Sequence, residues 1–265
     1  MVICLRNNTR IPIELDLTNT TALEETLLAT RNTTVIIHGH QGSAVSSLNP
    51  TVKDALLAVE DVNVIVVDWS VYASLSYSNA VGAVASVGSY LADTISELVE
   101  AGVVSLDKLH LVGFDLGAHV AGFTGRNLEG KVARITGLNP SGRQWGSNTL
   151  RLRLSDALYV EILHTDGNGI LGNGVGDPIG TVDIYVNGGN NQPGCFLNHH
   201  CSHNRAWEVF AATVETNHLI ANQCGNNLQI ALNTCRGRTI PVGNNELSKL
   251  GSGLYRVNTR RTYPY

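Results

Sequence analysis

Short apolar runs recur along this chain at Thr34–His38, Val62–Asp68, Leu109–Gly113, Ala133–Leu138, Leu158–His164 and Val182–Val186. Their length and their β-branched content predict buried strands. Between several of them the apolar spacing becomes helical. Pro50–Glu60 gathers Val52, Ala55, Leu56 and Val59. Asn79–Ala101 carries Val81, Val84, Val87, Leu91, Ile95, Leu98 and Val99 on a broad stripe, and Ser202–Asn217 is a third helical segment. Strands alternating with helices predict a mostly parallel sheet covered on both faces. Sites in such sheets lie at the carboxyl ends of the strands. Polar residues of chemical interest fall at those ends: His38-Gly39-His40, Asp68-Trp69, Asp115 and Asn139.

Asp115 is the most informative of them. The stretch Gly113-Phe114-Asp115-Leu116-Gly117 follows an apolar strand and opens a helix-compatible segment. This is the layout of a nucleophile elbow, Gly-x-Ser-x-Gly, with a carboxylate where the alcohol belongs. At a helix N-terminus an anion is favoured by the dipole. A carboxylate is a weak nucleophile towards an ester, and the anhydride it would form gains nothing.

Composition narrows the setting. The chain has 265 residues, 43% of them hydrophobic and 15% charged, which suits a large core in one domain spanning 1–265 and argues against disorder. A net charge of −4 supplies no basic field for nucleic acid, and no apolar run is long enough for a transmembrane segment. The opening residues Met1–Arg6 lack the basic and apolar regions of a signal peptide, so the chain is cytosolic or starts at a mature boundary. Three sequons, at Asn7, Asn19 and Asn32, favour a secreted glycoprotein. Cys195 and Cys201 lie six positions apart and Cys224 and Cys235 eleven apart, in polar sequence that suits local disulfides; Cys4 is left over. Five reduced thiols in a cytosolic protein are the alternative.

Several segments match one family. Gly113–Arg126 (GFDLGAHVAGFTGR) resembles the elbow of the pancreatic-lipase-like family, usually GHSLGAHVAG. ITGLNP at 135–140 is similar to its ITGLDP, and CSHNRAWE at 201–208 to its CSHxRA-[YW]-E. Thr34–His40 looks like its oxyanion loop, and Val62–Ser70 and Val182–Cys195 match further stretches. The resemblance runs from about Leu5 to Tyr265 in family order. It implies an α/β-hydrolase fold without the C-terminal β-sandwich domain of the pancreatic members, as in arthropod lipases and phospholipase A1 types.

Carried over residue by residue, the resemblance places Asp115 at the nucleophile position, Asn139 at the acid position and His203 at the base position. The oxyanion donors are backbone N–H groups near His40 and at Leu116. Two of the three triad residues are thus replaced, and an Asp-to-Asn change in the acid alone costs about 10⁴ in turnover in serine proteases. The expectation is a silent, extracellular lipase homologue, like insect yolk proteins, that binds a lipid or other apolar ligand or a protein partner, or serves as storage. Its Asp115 carboxylate is expected to face His203 and to plug the oxyanion hole. Two active alternatives stand beside it. One is a hydrolase attacking epoxides or alkyl halides through Asp115, with His203 driving water; the other is a residual lipase or phospholipase A1. No cofactor is expected.

Neighbouring residues have plainer readings. His38 and Asp68 are expected to brace the oxyanion loop, and His119 to pack in the core. Asp156, Asp166, Asp177 and Asp183 could each be a relocated acid for His203, but read as solvated or loop-capping carboxylates. His199, His200 and His203 with Cys195 and Cys201 do not have zinc-ligand spacing. The five residues between Cys195 and Cys201 are too few for a lid helix. The Gly-rich flap between His164 and Gly180 reads as mobile, and it lacks the Gly-Lys-[Ser/Thr] ending of a phosphate loop.

Overall fold

A computed structural model describes residues 2–5, 8–15, 19–167 and 171–265. Eleven strands form one sheet: β1 (Val2–Leu5), β2 (Asn8–Glu14), β3 (Thr33–Ile37), β4 (Asn63–Val67), β5 (Leu109–Phe114), β6 (Arg134–Leu138), β7 (Tyr159–His164), β8 (Val182–Val186), β9 (Ile220–Cys224), β10 (Thr239–Pro241) and β11 (Gly253–Val257). The helices are α1 (Thr20–Thr26), α2 (Leu48–Val59), α3 (Ser70–Ala73), α4 (Tyr77–Glu100), α5 (Leu116–Asn127), α6 (His199–Thr216) and α7 (Asn227–Leu232). The strand order is β10-β9-β11-β8-β7-β6-β5-β3-β4-β1-β2. From β11 to β4 every pairing is parallel, and both flanks close with antiparallel strands. This is the α/β-hydrolase fold.

The six strands expected from apolar runs form the middle of the sheet, where residues are buried on both faces and alternation disappears. Val35 and Ile37 of β3 enter one core with Leu91, Ile95 and Leu98 of α4 and Val120 of α5. Ile36 enters the opposite core with Val52 and Leu56 of α2 and Val209 and Phe210 of α6. Each such side chain contributes about 1.5–3 kcal/mol on burial. Among the described residues no helix is long and apolar enough to cross a membrane.

Strand register sets the site. Ile37 pairs with Gly113, Gly113 with Gly137, and Gly137 with Ile162. Asp115 and Asn139 each lie two residues beyond that row, and His40 three. Residues distant in sequence are therefore delivered to one edge of the sheet.

Candidate functional site

Asp115 stands between β5 and α5 with φ 54° and ψ −120°. A non-glycine residue in such a region costs on the order of 1–3 kcal/mol and needs its neighbours to hold it. They do so through the backbone: Asp115 N–H donates to Leu138 C=O and Ser141 N–H donates to Asp115 C=O, both at 3.2 Å. The turn also needs its two glycines. A Cβ at Gly113 would lie 2.3 Å from Gly117 O, and one at Gly117 would lie 2.3 Å from Ile37 O.

The Asp115 side chain is 10% exposed. Its Oδ2 accepts the His40 N–H at 2.9 Å, and its Oδ1 lies 3.4 Å from His203 Nε2. Burial alone would raise its pKa, but the His203 side chain, through both hydrogen bonding and charge, together with the His40 and Leu116 N–H groups, outweighs burial and holds it at about 2. Asp115 is ionised at any physiological pH.

Asn139 fixes the other side of the imidazole. Its Oδ1 accepts the N–H groups of Thr165 at 2.9 Å and Asp166 at 3.0 Å, which orients the amide unambiguously. Its Nδ2 then faces His203 Nδ1 at 2.5 Å and must donate to it. Nδ1 is an acceptor, so the neutral ring carries its proton on Nε2, pointing at Asp115. A serine triad needs the opposite: an acid accepting from Nδ1–H and a bare Nε2 to take the alcohol's proton.

The surrounding polar residues are occupied. His38 donates from Nδ1 to Gly39 C=O at 3.0 Å and accepts the Trp69 N–H at Nε2 at 3.2 Å, with Asp68 at 3.5 Å. The Trp69 indole N–H donates to His38 C=O at 2.8 Å. Together these brace the loop that carries His40. His40 itself sits partly open, its Nε2 3.0 Å from Leu75 C=O. His119 is buried, donates to Ser141 C=O at 2.8 Å, accepts from Leu152 N–H at 3.1 Å and stacks on Trp145.

Three of the four acidic residues read as solvated or loop-capping are buried, and they cap loops: Asp156 accepts the Arg153 N–H, Asp166 the Asn173 N–H, and Asp183 the Ile179 and Gly180 N–H groups, each beside a side-chain partner. Asp156 takes the Arg126 guanidinium, Asp183 pairs with His164 at 2.8 Å, and Asp166 pairs with His199 at 2.6 Å. Asp177 is exposed, 3.9 Å from Arg151. None partners His203, whose Nδ1 is taken by Asn139.

The Gly-rich flap is also better supported than its composition suggests. Residues 168–170 lie outside the described residues, but the rest is pinned to the elbow side. Asp166 Oδ2 accepts from Asn173 N–H and Nδ2, Gly142 N–H donates to Asn173 C=O, and Val175 N–H donates to Pro140 C=O.

Cys195–Cys201 and Cys224–Cys235 are disulfides. The first encloses a tight turn that runs directly into α6, capped by Asn198, which accepts the Cys201 N–H. Cys4 has no described side chain, and Asn7 lies outside the described residues. Asn19 is exposed and caps α1, while Asn32 is half-buried.

Above Asp115 opens a cavity of about 940 Å³. Phe114, Leu171 and Val175 give it apolar wall; Tyr77, Ser141, Arg143, Asn173 and Asn204 give it polar wall. Tyr77 and Arg143 carried no sequence signal. Tyr77 is brought in from the start of α4, where its hydroxyl bonds Ser141 at 2.7 Å and its ring carries the Arg143 guanidinium at 5.3 Å.

The family model described as Lipase matches residues 7–251. Phospholipase A1 member A of Rattus norvegicus is 38% identical over 198 residues, covering 71% of this chain and 42% of its own. Lipase member H of Mus musculus is 36% identical over 211 residues, covering 75% and 46%. The probable phospholipase A1 magnifin of Vespa magnifica is 39% identical over 197 residues, covering 68% and 57%. The chain thus spans about half the length of the curated relatives it matches.

Proposed function

Because the chain belongs to the lipase family, we propose that it holds a lipid-like small ligand outside cells without hydrolysing it. One observation carries this reading: the hydrogen bonds through His203 run in the reverse direction of a serine triad. Thr165 and Asp166 donate to Asn139, Asn139 donates to His203, His203 turns its Nε2 towards Asp115 Oδ1 at 3.4 Å, and His40 donates to Asp115. The chain of donors ends on a carboxylate lodged where an ester oxyanion would sit. There is no alcohol at the elbow to attack, no bare Nε2 to act as base, and no open pair of N–H groups to receive developing charge. The two disulfides support an oxidising, extracellular setting. A storage role is the limiting case in which the cavity holds nothing.

Hydrolysis of a short-chain ester and of a phospholipid, by the natural protein, Asp115→Ser, and Asp115→Ser with Asn139→Asp, tests the reading. Silence in the natural protein with activity in the double variant supports it. Turnover by the natural protein that disappears in His203→Ala overturns it.

A second reading has one observation in its favour. Oδ2 of Asp115 is held by N–H groups while Oδ1 lies on the His203 side, the disposition a carboxylate nucleophile needs to attack an epoxide carbon. The subsequent hydrolysis requires His203 to accept a proton at Nε2, which Asn139 opposes. Epoxide turnover lost in Asp115→Asn would establish it.

A further inference from the structure

We infer that the cavity above Asp115 recognises a cationic amphiphile, its alkylammonium group seated on the Asp115 carboxylate; this rests on the non-hydrolytic reading of the same site. The first ground is unused acceptor capacity. A carboxylate offers about four lone-pair positions. Oδ2 is engaged by His40 N–H at 2.9 Å, with Leu116 N–H adding to the anion's stabilisation. Oδ1 has only the His203 contact at 3.4 Å, longer than the usual N–H···O range of about 2.7–3.2 Å. An almost buried anion therefore lines the cavity with one oxygen underused.

The second ground is the charge of the walls. Among the described lining residues the formally charged groups are Asp115, Asp177, which already faces Arg151 at 3.9 Å, and Arg143, which lies over the Tyr77 ring, so Asp115 is the charge nearest the elbow. An anionic or carbonyl-bearing group that reaches the elbow meets a carboxylate in the position where N–H donors would have welcomed it. An ammonium meets attraction. The third ground is aromatic. Phe114 lines the cavity and packs on the His203 ring with centroids 4.5 Å apart, and Tyr77 faces the same space. Aromatic faces attract alkylammonium groups, and Leu171 and Val175 offer apolar wall for the chain. The replacement of serine by aspartate thus inverts the polarity of the group the pocket accepts.

Calorimetric titration of the intact protein with octylammonium, octanoate and 1-octanol at neutral pH tests this. Octylammonium is expected to bind at least about tenfold more tightly than octanoate, and Asp115→Asn to erase that preference while changing octanol binding little. Equal or tighter binding of octanoate, binding of none of the three, or a preference that survives in a folded Asp115→Asn would overturn it. The comparison within the natural protein decides even if the variant does not fold. Ester turnover is read on the same preparations. Turnover in the natural protein sinks the non-hydrolytic reading, whereas silence without an ammonium preference sinks only the present inference.

Discussion

Asn139 donates to His203: its Nδ2 lies 2.5 Å from Nδ1, while its Oδ1 is held by the N–H groups of Thr165 and Asp166. The two N–H groups would suit an aspartate oxygen equally well. They hold the amide so that only its nitrogen can reach the ring. Asp115 then places its Oδ1 3.4 Å from Nε2 on the opposite side of the ring. Asp115 and Asn139 thus flank the imidazole with compatible partners, one on each ring nitrogen.

The tautomer is directly observable. Proton–nitrogen NMR correlation of the His203 ring in its neutral form should show a proton on Nε2 and a bare Nδ1. Asn139→Asp should place a proton on Nδ1. A natural protein with Nδ1–H would remove the basis for the reversed chain.

Single revertants should disappoint. Asp115→Ser alone faces an Nε2–H and has no base, and Asn139→Asp alone has no nucleophile. Adding Asn139→Asp to Asp115→Ser should raise ester turnover on the order of 10⁴, the size of the acid-to-amide effect in serine proteases. Equal turnover with and without the second change would show that the amide does not control His203.

Acid should weaken the fold in two windows. Burial holds His119 at about 4, below its ordinary 6.5. Between these values the unfolded chain binds a proton that the folded one does not, so stability is full above 6.5 and falls towards pH 4, by about 3 kcal/mol. Asp115, held at about 2 against an ordinary 3.8, adds stability that is full above 3.8 and is lost as pH falls through 2, about 2 kcal/mol. Burial lowers His38 and His110 too, so their contributions also begin to fall as pH drops below 6.5. Denaturant titrations at a series of pH values should show His119→Gln flattening the first slope and Asp115→Asn the second. Unchanged slopes would contradict the assignment.

The two flap carboxylates should behave differently. Asp166 is buried and bonds Asn173 twice and His199 once, so Asp166→Ala should cost about 3 kcal/mol. Asp177 is exposed, and Asp177→Ala should stay within about 0.5 kcal/mol. Thermal melts of the pair separate an anchor from a surface charge; equal shifts would refute the distinction.

Expression through a secretory pathway should glycosylate Asn19, which is exposed, in preference to Asn32, which is half-buried and opens directly into the buried strand β3. Site-resolved mass spectrometry reads the occupancy. Full occupancy at Asn32 and none at Asn19 would be the contrary result.

The middle of the sheet was legible because strands buried on both faces must be apolar throughout. The edge beyond β8 was not: β9, β10 and β11 mix exposed and buried positions, and short runs such as IANQC and TIP carry no clear period. Likewise Arg134, Glu161 and Lys249 gave no hint that they meet. Arg134 and Lys249 lie 3.2 and 2.5 Å from Glu161 in the interior, paired by strands and loops far apart in the chain. The four acidic residues considered for His203 could be sorted only by their partners, since proximity in sequence says nothing about which guanidinium or imidazole each one reaches.

By itself the sequence determined the parallel α/β layout and the two-glycine turn that carries Asp115, because apolar periodicity and a two-glycine turn are local properties. Only the tertiary structure decided which way Asn139 points. Its orientation depends on two N–H groups after β7, and the tautomer of His203 depends in turn on that orientation. A hydrogen-bond direction is set by every partner at once, and those partners arrive from four separate strands' ends and one helix.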